Sequence, residues 1–266
     1  MNSSKKVFMT KKKVEQLRKF LKISICSLLG IELALIGSVA YNFRGNKAIK
    51  PYVENNLTKI IQKQEEKMGL KHFDMPSVEY DLPKDLPQII KISPAFVGLY
   101  RPEEDKIYLI TCIMRTKEFN LENTIAEIAN FGFVNDAEEV VYHELGHFYA
   151  DKLSEYLGWG NWPPKVVGND KFVGVKMVSE GIAEYFEHKS TGNEYDKPPE
   201  YLLNLEEFKS DNDFFYNGGY QLVKPIIDKH GRIGIAYLIE SPPELEDIID
   251  LVKYQKRAIE FLDLVR

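Results

Sequence analysis

The chain has 266 residues, of which 44% are hydrophobic and 28% charged, with 17 Gly, 13 Pro and 2 Cys. These figures exclude a disordered, collagenous or low-complexity chain, and with only Cys26 and Cys112 they exclude a disulfide framework or a cysteine zinc cluster. The net charge of −5 is unevenly spread: residues 1–50 hold 11 Lys and Arg against Glu15 and Glu32, whereas residues 51–266 hold 24 basic against 38 acidic residues. An acidic body excludes a nucleic-acid partner, because neutralising phosphates needs a basic surface.

Residues 1–22 form a basic segment, and residues 23–43 (ISICSLLGIELALIGSVAYNF) follow with Glu32 as the sole charge. As a helix this stretch rises about 31 Å, close to a bilayer's hydrocarbon thickness. Eight Lys and Arg precede it from Lys5 to Lys22, and Arg44, Lys47 and Lys50 follow it. That imbalance predicts a single-pass anchor in the cell membrane, with the N-terminus cytoplasmic and the body outside. Glu32 near mid-span is a cost to this reading. The alternatives are a cleaved signal peptide and a secreted protein, since Ser38-Val39-Ala40 ends in small residues, and a buried core helix.

Residues 51–266 read as one domain. Val53, Leu57, Ile60, Ile61 and Met68 are helically spaced and predict an amphipathic helix over 51–70. Short strands are predicted at Ser77–Leu82 and Gln88–Ile92. A hairpin is predicted from Phe96–Tyr100 and Lys106–Ile113, turning through residues 101–105. Helices are then expected at 121–130, 136–157, 178–189, 216–230, 232–239 and 244–264, with turn-rich breaks at 158–174 and 191–199. Strands first and helices later is the α+β order.

The chemistry gathers on the helices. His143-Glu144-Leu145-Gly146-His147 has the H-E-x-x-H pattern. Four residues apart on a helix, both imidazoles share a face and can reach one zinc ion, with Glu144 beside it to hold a water and take its proton. The third ligand is expected to be Glu180 in SEGIAEYF, at a helix start capped by Ser179. Glu184, one turn on, is placed to accept the distal N–H of a ligand histidine. Asp151, on the same helix face as His147, is read either as supporting a ligand from behind or as a surface residue, not as a ligand. His230 is assigned to a helix end, His188 to the surface, His72 to no role and Cys112 to the core. Trp159, Trp162 and Pro163-Pro164 suit either a lid over the site or packing on the core.

HELGH followed by SEGIAEYFE resembles the gluzincin metallopeptidases, and the second segment is similar to the N-E-G-x-A-x-Y stretch of the M1 aminopeptidase-type catalytic domain. Phe215-Tyr216-Asn217-Gly218-Gly219 is similar to that group's Y-x-K-G segment. The resemblance implies a zincin-like domain with a small mixed sheet, an active-site helix and a mainly helical C-terminal subdomain. It further implies His143, His147 and Glu180 as ligands of one zinc ion, Glu144 as the base and Tyr216 as oxyanion donor, with Tyr220 as understudy. The 33 positions from His147 to Glu180 exceed the M1 interval, Gly218 replaces Lys, and no G-x-M-E-N segment precedes His143. The expected function is therefore a membrane-anchored zinc endopeptidase acting on a peptide or protein, the substrate extended along the edge strand in Phe96–Ile113. The alternatives are a zinc aminopeptidase and a catalytically silent peptide-binding module.

Overall fold

The computed structural model describes residues 46–80, 97–111, 114–117, 123–124, 126, 135–164, 169–193 and 214–265. The expected anchor at 23–43, the strand at Gln88–Ile92, most of the helix at 121–130 and both cysteines lie outside the described residues. Among the described residues no helix is long and apolar enough to cross a membrane.

Helix α1 (Ile49–Met68) buries Ile49, Val53, Ile60, Ile61 and Gln64 along one stripe, while Lys50, Glu54, Lys59, Glu66 and Lys67 are exposed. Three strands follow: β1 (Ser77–Glu79), β2 (Gly98–Arg101) and β3 (Lys106–Leu109). β3 lies centrally, parallel to β1 and antiparallel to β2, with Tyr100 opposite Ile107. β3 ends at Leu109, short of the expected Ile113, because the chain turns off so that the Thr111 carbonyl accepts the Asn46 backbone N–H. β4 (Met114–Arg115) and β5 (Asn135–Asp136) make a short parallel pair that leads straight into the next helix.

That helix, α2 (Ala137–Tyr156), begins with the Asp136 carboxylate accepting the Glu138 backbone N–H at 2.9 Å. Fourteen of its 20 residues are buried, polar ones such as His143, Glu144 and Asp151 included, so it is central to the fold. Val141, Tyr142, Leu145 and Phe148 pack with α1 and the sheet, while Tyr149, Ala150 and Leu153 join the second core beneath the C-terminal helices.

Helix α3 (Asn169–Thr191) corrects two expectations: it starts nine residues before 178, and Ser179 is an interior position, not a cap. Its first turns carry Val175, Met177 and Val178 into the core, and that burial overrides the local turn signals of 158–174. The expected helix at 216–230 is divided into a π-helical turn, Phe214–Gly218, and α4 (Gly219–His230). Then come α5 (Arg232–Glu240), α6 (Leu245–Ile249) and α7 (Leu251–Leu264). The single helix expected at 244–264 is broken at Asp250, whose non-helical backbone lets its carboxylate cap α7 by accepting the Lys253 N–H at 3.0 Å.

Candidate metal centre

Helices α2 and α3 cross at Gly146, where a methyl group would sit 2.6 Å from the Ala183 backbone. Only hydrogen fits there, and the close crossing brings Glu180 up to His143, about one turn before Gly146, and to His147, the next residue along α2. Nε2 of His143 and Nε2 of His147 each lie 3.5 Å from the same Glu180 oxygen. The three side chains place one donor atom each within 4.8 Å of one another. Their far sides are held as well. Nδ1 of His143 meets Glu184 Oε1 at 3.2 Å and Glu187 Oε2 at 3.5 Å, and Nδ1 of His147 meets the Ser179 hydroxyl at 3.2 Å.

Burial alone would neutralise these groups, and their mutual contacts reverse it. His143 is held well above the ordinary histidine range, because hydrogen bonds to Glu180, Glu184 and Glu187 outweigh desolvation. Glu180 is held far below the carboxylate range by both histidines, and Glu184 is brought down to about 2 by His143 and His188. The site thus gathers negative charge around two imidazoles whose Nε2 atoms converge, a donor set that could hold one metal ion.

Glu144 lies beside this group, 5% exposed, and accepts a hydrogen bond from the Tyr100 backbone N–H. Desolvation raises its carboxyl, with the two histidines opposing. β2 is one of the two edge strands of the described sheet and runs against α2 so closely that a Cβ at Gly98 would overlap Glu144 Oε1 and come within 2.8 Å of Val140. A cleft of about 260 Å³ opens here, lined among others by Gly98, Glu139, His143, Glu144, Glu187 and Tyr216. Tyr216 sits in the π-helical turn between the buried anchors Phe214 and Phe215 and the start of α4, its ring centroid 5.6 Å from that of His143. Burial and the nearby Glu180 charge raise its hydroxyl well above the usual tyrosine range, so it keeps its proton as a donor.

The structure therefore brings His143, Glu144, His147, Glu180 and Tyr216 together. Tyr220 does not join them; it is buried against His188 and Tyr185. Asp151 is fully buried and accepts from the Tyr100 hydroxyl at 2.8 Å and the Trp162 N–H at 2.6 Å, tying β2 and the following loop to α2. Trp162 is packed into the core, while Trp159 is 43% exposed beside a separate hollow with Asn161 and Ile239.

His188, expected on the surface, is buried and bonded to Glu184 at 2.9 Å. His72 bonds Gln64 and packs against Phe148, Tyr149 and Phe186, with burial lowering it to about 4. Sequence reasoning missed Gly98, Glu139 and Glu187 on the cleft wall, and His188 behind it. The i, i+4 ladder Glu180, Glu184, His188 was a signal that could have found His188. Comparison of the chain with protein-family models, with curated proteins and with solved structures gives no match.

Proposed function

We propose that this chain is a zinc-dependent peptidase of the gluzincin kind, holding one zinc ion with His143, His147 and Glu180. The observation that carries this reading is the convergence of both histidine Nε2 atoms on one Glu180 oxygen, with both Nδ1 atoms engaged from behind. Bound there, the ion would supply Lewis acidity toward a carbonyl oxygen and make a water easier to deprotonate.

The chain's own residues do the rest. Glu144, buried with its carboxyl raised, is suited to accept a proton from water and return it to a leaving amine. Tyr216, which keeps its hydroxyl proton, donates to the negative charge developing on the carbonyl oxygen. β2, as the edge strand along the cleft, offers main-chain groups to an extended peptide. Internal cleavage is the leading mode. Trimming from a free amino terminus is the second reading, favoured by Glu139 and Glu187 on the cleft wall, which suit an ammonium group. Mapping of peptide fragments separates them by internal cuts or stepwise N-terminal loss. The basic residues 1–22 and apolar residues 23–43 support anchoring in the cell membrane with the catalytic domain outside.

The test is metal content of the purified full-length protein by mass spectrometry, beside Glu180→Gln and His147→Ala. One zinc per chain, lost or weakened at least tenfold in both variants, is the expected result. Full zinc retention in Glu180→Gln would remove the third ligand and with it this reading.

A further inference from the structure

We propose that His188 is a positioning residue of the metal centre, fixing Glu184 so that Glu184 in turn fixes His143; this rests on the metal-binding reading of His143, His147 and Glu180 above. Glu184 is 6% exposed and its two oxygens serve different imidazoles. Oε1 lies 3.2 Å from His143 Nδ1, and Oε2 lies 2.9 Å from His188 Nε2. One carboxylate therefore bridges the ligand histidine and a second histidine that is not a ligand.

His188 is itself held. It is 7% exposed, and its ring meets Tyr220 edge to face at 4.9 Å. The line His188, Glu184, His143 thus runs from the last turns of α3 to the centre. It needs an anchor because His143 Nδ1 has two carboxylates within reach. Glu187 Oε2 is only 3.5 Å away, and His143, Glu184 and Glu187 form a cluster within 4.8 Å. With Oε2 tied to His188, Glu184 cannot rotate away and leave the half-buried Glu187 to draw the ring aside. The His143 Nε2 lone pair then stays aimed at the position shared with Glu180 and His147. Residues 180, 184 and 188 share a helix face, so α3 presents ligand, orienter and anchor in successive turns.

The experiment measures zinc affinity of the full-length protein by competition with a chromophoric chelator. It compares the wild type with His188→Gln, His188→Asn, Glu184→Gln and the Asn/Gln double variant. A glutamine amide can take the place of Nε2 and still donate to Glu184, whereas an asparagine amide takes the place of Nδ1 and cannot reach it. We expect His188→Asn to weaken zinc binding about tenfold and His188→Gln to restore most of it. In the Glu184→Gln background the Asn substitution should cost nothing further, because nothing is left for residue 188 to hold. Near-UV circular dichroism checks that each variant keeps its packing. Equal affinity in all His188 variants would overturn the proposal, as would an equal loss for Gln and Asn or a loss that persists without Glu184. A wild type that binds no zinc would instead overturn the underlying metal-site reading.

Discussion

At the scale of single residues, the candidate site depends on how tightly the edge strand β2 presses on α2. Gly98 has no side chain, and Glu144 fills the space that one would occupy. An alanine there displaces the carboxylate by around an ångström without touching a metal ligand, and a misplacement of that size costs about 100-fold in rate. Tyr216→Phe removes the hydroxyl that the proposed mechanism aims at the developing charge, and comparable donors are worth about 100- to 1,000-fold. Both variants should bind zinc like the wild type while losing turnover on a peptide substrate. Normal turnover in Tyr216→Phe would take the hydroxyl out of the mechanism; normal turnover in Gly98→Ala would show that Glu144 has room to shift.

At the scale of elements, the C-terminal helices show how one substitution in the backbone pattern is compensated from another element. Pro225 lies inside α4 and has no N–H, so the carbonyl of Gln221 four residues earlier loses its helical partner. The side chain of Gln255 on α7 supplies one instead, donating to Gln221 O at 2.6 Å and to Leu222 O at 3.1 Å. Gln255→Ala leaves that carbonyl unpaired in a half-buried interface. The expected loss is about 1 kcal/mol, or roughly 2–4 °C in melting temperature, readable by thermal unfolding. No change on heating would mean that water satisfies the carbonyl equally well. The broken helix at Asp250 follows similar logic, since the residue that interrupts the pattern caps the next helix itself.

At the scale of the whole molecule, α1 is joined to α2 by a buried carboxylate. Glu138 takes hydrogen bonds from Tyr142 at 2.7 Å, Lys63 at 3.0 Å and Tyr52 at 3.2 Å, and pairs with Lys117 at 3.1 Å. Burial would raise its carboxyl, but the bonds from Tyr142, Lys63 and Lys117 bring it down to about 2 from an ordinary 4.5. Because the folded value is the lower one, Glu138 stabilises the fold in full above about pH 4.5 and loses that effect as pH falls toward 2. Urea unfolding at pH 6 and pH 3 should show wild type well above Glu138→Gln at the first and nearer to it at the second. A gap that does not narrow would mean that the carboxylate's charge contributes nothing to joining the helices.

Much of the site was legible in the sequence because it is local. His143, Glu144 and His147 need only a helix to share a face, and Val140, Val141, Leu145 and Phe148 announce that helix. The acidic body and the basic, apolar first 50 residues were equally plain, since charge and hydropathy are sums over residues. What the sequence left undecided was whatever depends on two distant segments meeting. The burial of Val175, Met177 and Val178 carried α3 back to Asn169, turning Ser179 from a supposed cap into the partner of His147. Gly98 looked like a strand residue of no consequence until β2 was seen against α2. His188 looked like a surface residue until Tyr220 covered it. Periodicity reports which face of an element is apolar; only tertiary packing decides what that face meets, and here it meets the carboxylates that hold the centre in place.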